Sequence, residues 1–431
     1  MNTAIEGSVS GKIIVRLVVP LMILQILNSL DRVNISFAAL QMNAALGLSP
    51  ELYGNAVSIF FVSYLLCQFP SARALKALGA RWWIFGVVLL WGAAATGMAF
   101  VQEVWHLYVL RFVLGIAEAG FAPGIVFLCS SWVPRKFRAQ AIATSMLAVP
   151  VSMVFGAPLS GWLLSMQAPL DLAAWRWMFF IEGLPAVVLA FVALAIFREE
   201  PLQASWLRDE EKQWLREDLQ QEEQTRKAGI SSFRALLTDL RILCSAGIWF
   251  CLIFGAYGIV FWMPLVLKEM TSLGDFGIGL VSALPWLGVA TGMVLIPRHS
   301  DRTQERFGHV AFAALTACLS LLACAFSPWN ALSVILLFCF GVGLGGAQGT
   351  FWTIPTSLFS STIAASGVVL INLIGNISSL INSTVIGYVR AASGSYRLAV
   401  LMLVLMLGFA ALLVAIIAWH SRKHDATVAR S

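Results

Sequence analysis

Residues 104–130 read VWHLYVLRFVLGIAEAGFAPGIVFLCS. Apart from His106, Arg111 and Glu118, the stretch is apolar, aromatic or small. As a helix it would reach about 40 Å, enough to cross a hydrocarbon core of ~30 Å. A helix with this surface belongs in lipid. The sequence must then account for a full positive and a full negative charge inside it, seven residues apart.

The rest of the chain has the same character. Of 431 residues, 59% are hydrophobic and 12% are charged, against about 25% charged in soluble domains. Mean hydropathy is +0.83. A water-soluble fold could not hide that much apolar surface. The seven cysteines lie in or beside apolar runs without ligand spacing, and read as small core hydrophobes. The N-terminal apolar run continues past the length of a signal peptide and lacks its cleavage site, so it reads as an uncleaved first span.

Twelve segments are long and apolar enough to span: 13–38, 51–72, 81–101, 104–130, 138–166, 175–197, 240–268, 276–297, 309–327, 330–356, 363–390 and 396–420. One long polar break, 198–239, divides them six and six. The expected class is an all-α membrane protein with two six-helix halves, 1–197 and 240–431, joined by a cytoplasmic loop. Inside the loop, Trp206, Leu207, Trp214, Leu215 and Leu219 alternate with charge as in an amphipathic helix. Such a helix can lie against the membrane face of the protein or on the lipid surface, but mixed-sign runs of this kind usually form a solvated face, so the loop is expected to act as a tether.

Placing both termini in the cytoplasm puts 22 of the 28 Lys and Arg residues on that side and four on the other. This asymmetry sets the orientation. It also explains the net charge of +6 without nucleic acid. Duplicated halves around a midplane site are the common plan of secondary transporters. The expected location is the cell (inner) membrane.

A charge at mid-bilayer costs at least a few kcal/mol, so intramembrane ionisable residues point to function. Span 1 contains Asp31 and Arg32, and span 4 contains Arg111 and Glu118. Residues 111 and 118 share a helix face but lie about 10 Å apart along the axis, too far to pair. If spans 1 and 4 pack together, Asp31 can meet Arg111, and Arg32 can line a cavity or meet Glu118. Two guanidinium forks facing a cavity suit a carboxylate, and a carboxyl group there can exchange protons. Arg176 and Glu182, in WRWMFFIEG, are expected near the outer surface as anchors. The second half carries neutral candidates: Gln348 and Trp352 in GAQGTFWTIP, and Asn372 and Asn376 on one face of NLIGN. Tyr64 and Gln68 in SYLLCQFP play the same part in span 2.

LDRVNISFAA, RFVLGIAEAGFAPG, GAPLSGWLL, WRWMFFIEGLPAV, SDRTQER, FWTIPTSLF and LINLIGN together resemble the major facilitator superfamily. Within it, the chain resembles the anion:cation symporter family, bacterial carriers of sugar acids, tartrate, phthalate and 4-hydroxyphenylacetate. The resemblance implies uptake of a small organic anion with H⁺ by alternating access. It implies Asp31 and Glu118 as proton sites and Arg32 and Arg111 as substrate or gating cations, with Tyr64, Trp352 and Asn372 around the substrate. Asp301, Arg302 and Arg306, in SDRTQER, take the place of a cytoplasmic gate. Two places depart from the pattern. Lys76 stands where an acid precedes Gly79, so the gate ion pair there is missing or rebuilt. ISSLINSTVIG replaces paired glycines after IGN, so span 11 should be less kinked, with Asn382 and extra hydroxyls toward the cavity.

The partners expected are the anion, H⁺ and the lipid bilayer, for a monomer without cofactor or metal. An organic-anion exchanger without proton coupling is the alternative, and GAPLSG faintly echoes an exchanger motif. A membrane enzyme would need paired His/Cys ligands, a phosphate-binding loop or a mid-span histidine, and the sequence has none.

Overall fold

A computed structural model describes residues 2–134, 136–138, 141, 145, 148–225, 239–358 and 361–428. The described residues contain twelve helices long and apolar enough to cross a membrane. They are span 1 (Ile5–Ala45), span 2 (Pro50–Leu78), span 3 (Ala80–Phe100), span 4 (Val104–Trp132), span 5 (Ala148–Ser165), span 6 (Ala174–Ile196), span 7 (Leu240–Met270), span 8 (Asp275–Thr303), span 9 (Phe307–Phe326), span 10 (Ala331–Pro355), span 11 (Gly367–Ser393) and span 12 (Tyr396–Trp419). Most of the region expected at 139–147 in span 5 lies outside the described residues, as do loop residues 226–238. The seven cysteines are free thiols, with Cys129, Cys251 and Cys318 buried.

Span 1 begins earlier than its apolar run. A helix at Asn2–Ile13 continues through a π turn at Ile14–Val18, where the Val19 N–H bonds to Ile14 O, five residues back. Pro20 follows at once and has no N–H to offer the preceding turn. A π turn there absorbs the disturbance without ending the helix.

Tight packing divides the chain into two compact units: residues 1–38, 62–156 and 166–227, and residues 39–61, 157–165 and 228–431. In the second unit the ends of spans 1, 2 and 5 (residues 39–61 and 157–165) pack directly on spans 7, 8 and 11. Gln41 Nε2 donates to Leu164 O at 2.9 Å and to Asp275 Oδ2 at 2.7 Å. Lys268 holds the other Asp275 oxygen at 3.0 Å. Tyr53 Oη donates to Phe261 O at 2.8 Å, and Ser58 meets Thr384 at 2.7 Å. Two glycine contacts make the approach possible. A methyl group on Gly161 would sit 2.7 Å from Asp275 O, and one on Gly279 would sit 2.5 Å from Ala157 O. Only hydrogen fits between these backbones.

The central loop does not behave as a tether. It forms a short 3₁₀ turn, Pro201–Gln203, and a helix, Asp209–Thr225, and both dock on the first unit. Leu207 and Leu215 are buried, and Trp206 stacks on Trp132 at 5.8 Å. The reason is Glu211, whose side chain is fully covered. It accepts from Lys12 Nζ at 2.7 and 2.9 Å, from Ser8 Oγ at 2.7 Å and from the Arg208 amide at 2.8 Å. Burial alone would raise this carboxyl group, but the Lys12, Arg208 and Ser8 donors hold it down at about 2. A charge pattern that resembles a solvated face therefore hides one buried, fully bonded acid.

Candidate functional site

Span 4 is not one continuous helix. It runs as Val104–Ala119 and Phe121–Trp132, with Gly120 between. Pro123 cannot donate to the carbonyl four residues back, which breaks the ladder there. The Gly120 carbonyl accepts from Trp83 Nε1 at 2.9 Å as well as from the Gly124 amide at 3.2 Å. Glu118 sits just before this break. Span 10 repeats the device. Its long helix ends at Phe351, Trp352 stands at the joint, and Pro355 follows three residues later. Discontinuous helices at membrane depth are a mark of transporter binding sites.

In the first unit, Arg32 meets Glu118 as one of the two expected pairings. Nε and Nη2 of Arg32 both reach Glu118 Oε2, at 2.8 and 2.7 Å. The Glu118 side chain is fully covered, whereas Arg32 keeps 20% exposure. Glu118 Oε1 is buried and accepts no hydrogen bond from the described residues. The Arg32 guanidinium also lies over the Tyr64 ring, 5.3 Å from its centre, and near Asn28 Oδ1 at 3.4 Å.

The second expected pairing does not form. Arg111 is fully buried and donates from Nη1 to the backbone carbonyl of Arg32 at 3.3 Å, not to Asp31. This bond braces span 1 where it presents Arg32. Asp31 is also fully buried, and neither of its oxygens has a hydrogen-bond partner among the described residues. Glu118 and Glu182 both lie within Coulomb range of it.

Glu182 is the residue that sequence reasoning misplaced. It is buried within span 6, not an anchor near the outer surface, and comes within Coulomb range of Asp31. Its neighbour Arg176 does anchor, donating to Ala99 O at 2.8 Å and lying over Trp175 at 4.3 Å. The usable signal was depth: Glu182 stands eight residues into its helix, where an interfacial residue would not. Gln68 is half-buried on span 2, one turn from Tyr64.

The second unit holds the neutral candidates. Trp249 of span 7, which sequence reasoning also passed over, stacks on Phe351 at 5.1 Å and tilts against Trp352 at 4.7 Å. Gly375 of span 11 packs against the Trp249 ring. Asn372 and Asn376 lie three residues before and one after that contact, with Asn372 exposed and Asn376 and Gln348 half-buried. Asn382 is not turned to a cavity. It is buried and donates to Phe254 O at 2.8 Å, while Ser378 donates to Phe250 O at 2.7 Å. Polar groups in a bilayer satisfy themselves on the neighbouring helix, and ISSLINST ties span 11 to span 7. As its sequence suggested, the span 11 helix runs unbroken through Ser361–Ser393.

Around the end of span 8, Arg306 pairs with Asp301 and also donates to Ser300 Oγ at 3.2 Å. Arg302 is exposed and joins no ion pair among the described residues. Lys76 is exposed too, and the missing acid before Gly79 is supplied from elsewhere. Glu199, just past span 6, accepts from the Ala80 and Arg81 amides at 2.8 and 3.0 Å, capping span 3.

Twelve spans, two interrupted helices and an Arg–Glu pair at membrane depth match a known family. Its profile, the Major Facilitator Superfamily, covers residues 21–383. The chain belongs to the Major Facilitator Superfamily. Among its superfamily relatives, an Agrobacterium vitis protein named "Putative tartrate transporter" is 38% identical over 97% of this chain and 93% of its own. A "Quinolone resistance transporter" of Acinetobacter baumannii is 34% identical over 92% and 93%. The fold is shared with a bacterial homologue of the human lysosomal transporter Spinster, solved inward-facing and unoccupied, at a TM-score of 0.79 and 18% identity over 92% of this chain and 95% of that one. These are carriers, not enzymes.

Proposed function

We propose that this superfamily member carries a small organic anion, a carboxylate, together with a proton by alternating access. The observation that supports this most is the Glu118 carboxylate, with one oxygen gripped by the Arg32 fork and the other buried and unbonded. An incoming carboxylate competes for the same fork, because a guanidinium binds either anion in the same geometry. Once Arg32 turns to the substrate, Glu118 is a buried charge without its partner, which costs several kcal/mol. A proton on Oε1 removes that cost. Anion and proton then load together, because each makes the other affordable. Asp31, buried within Coulomb range of two other carboxylates, serves as the second proton site. Arg32 makes the first contact with the anion, and Arg111 holds the span 1 backbone behind it. Tyr64, Gln68, Gln348, Trp352, Asn372 and Asn376 supply neutral recognition, and Asp301 and Arg306 form a cytoplasmic latch.

The relative named for a tartrate transporter supports a hydroxylated dicarboxylate as cargo. The relative named for quinolone resistance supports a second reading, in which the cargo is a larger aromatic acid. Uptake into proteoliposomes under an inward proton gradient tests both, across dicarboxylates, sugar acids, aromatic acids and a quinolone, each with a neutral analogue. Uptake of one carboxylate that collapses with the gradient supports symport. Uptake that ignores the gradient and needs anion on the far side makes the protein an exchanger and removes the roles of Asp31 and Glu118.

A further inference from the structure

Glu182 is buried in span 6 at 2% exposure and has no step in the transport cycle proposed above. Glycine sets its place. Spans 3 and 6 pack backbone to backbone: a methyl group on Gly183 would sit 2.6 Å from Thr96 N, and one on Gly92 would sit 2.7 Å from Val187 N. Only hydrogen fits at either point. Next to Gly92 on span 3, Trp91 is fully buried, packs edge-on against Phe121 of span 4 at 4.9 Å, and neighbours Asp31 of span 1. Residues of spans 1, 3 and 4 thus enclose Asp31, and Glu182 of span 6 lies within Coulomb range of it.

The charges gathered here do not balance. Asp31 is within Coulomb range of Glu118 and Glu182, and Glu118 is within range of Arg32 and Arg111. Among the described residues the cluster therefore holds three acids and two bases. Its other polar neighbours, Asn28 and Trp91, are neutral. With every group ionised, one negative charge is left over. An uncompensated charge away from water is costly, and a protein escapes the cost by neutralising the group. Arg32 already grips Glu118, so the proton falls to Asp31 or Glu182. Asp31 suits it, since neither of its oxygens accepts a hydrogen bond from the described residues. That is tolerable in a neutral acid and expensive in an ionised one.

We propose that Asp31 and Glu182 hold one proton between them in the resting carrier and act as a single acid–base unit. The inference rests on the proton-coupled reading above and sharpens it: the second proton site is the pair, not Asp31 alone. Glu182 has no need to touch the cargo. Its charge keeps the proton on Asp31, as one carboxylate does for another nearby, and the two titrate together. At rest, Glu118 and the pair each carry one negative charge against the two guanidinium groups. A monoanion that takes Arg32 requires one proton, on Glu118, and the cluster is neutral again. A dianion brings one charge more, and the pair has room for the proton that cancels it.

The test is infrared spectroscopy of the full chain in vesicles of phosphatidylethanolamine and phosphatidylglycerol, at neutral pH and without cargo. A protonated carboxyl group has a C=O stretch apart from the amide bands, and the stretch shifts in D₂O. The wild type should show one such group per chain. Glu182→Gln should remove the band, because Asp31 can then ionise against the second guanidinium. Glu118→Gln leaves both members of the pair in place and should remove it too, since one negative charge fewer lets the pair ionise fully. Glu182→Asp keeps the charge and should keep the band. An unchanged helical amide I band identifies the variants that fold, and either Gln variant alone is decisive. A wild-type spectrum without the band would overturn the proposal. So would a band that survives in a folded Gln variant, because burial alone would then protonate Asp31. No cargo is present, so this outcome is independent of the uptake assay: loss of coupling there with the expected bands here would remove the transport role and leave the shared proton.

Discussion

The two units bury different chemistry. Every fully buried charged side chain among the described residues (Asp31, Arg111, Glu118, Glu182 and Glu211) belongs to the first unit. The buried polar side chains of the second unit are neutral: serines, Thr350 and Asn382. Both units meet the same lipid, so the bilayer does not impose the contrast. Buried charge is costly and persists where it is used, whereas hydroxyls and amides settle on neighbouring carbonyls at little cost. The contrast argues for a division of labour, with energy coupling in the first unit and discrimination among substrates in the second.

The sharpest way to break that division is to remove its charges. Arg32→Ala should lower uptake by about 100-fold or more, since it deletes the proposed anion ligand and strands Glu118. Retained binding, measured by calorimetry, would return the anion site to the second unit. Glu118→Gln should abolish accumulation against a gradient while substrate counterflow continues. If the Gln variant still concentrates substrate, the proton is carried elsewhere, and Asp31 and Glu182 become the residues to replace. On the neutral side, Gln348→Ala and Asn372→Ala should raise KM by roughly ten-fold, the ~1.4 kcal/mol scale of a hydrogen bond, with proton dependence unchanged. An altered proton dependence in either variant would erase the contrast between the units.

Two milder changes sharpen it from outside the site. Gly279→Val puts side-chain atoms where the Ala157 carbonyl lies and should force the seam apart. Cysteine accessibility at positions 41 and 275 should then rise, with no loss of folded protein. The smallest effect is expected at Glu211. Glu211→Gln should lower stability by ~1–3 kcal/mol, read as a reduced Tm and faster proteolysis after residue 225. Its carboxyl group sits at about 2, below the ordinary 4.5. The stability it contributes is complete above about pH 4.5 and is lost as pH falls from there toward 2. The Gln variant should show no such acid step.

Much of this was legible in the sequence. Span number follows from length and hydropathy, because lipid enforces both. That Asp31, Arg32, Arg111 and Glu118 are buried or half-buried in the first unit followed from charges that lipid would not otherwise admit. What escaped depended on tertiary placement. Asp31 and Arg32 are adjacent, so no spacing rule says which one meets span 4, and the structure sends Arg32 there. Glu182 looked like an interfacial charge because Arg176 beside it is one. Asn382 looked like a cavity residue because nothing local reveals that the Phe254 carbonyl is in reach. Glu211 resembled any acid on a solvated helix, and only Lys12, 199 residues earlier, shows otherwise.

That clamp bears on how the protein is made. Lys12 and Ser8 enter the membrane region first during synthesis, and Glu211 emerges only after six spans have been threaded. Until it arrives, the start of span 1 has no acid to hold, and the first unit cannot be complete. Chains released after residue 205 should therefore carry six inserted helices that remain sensitive to protease at their N-terminus. Chains released after residue 225 should not.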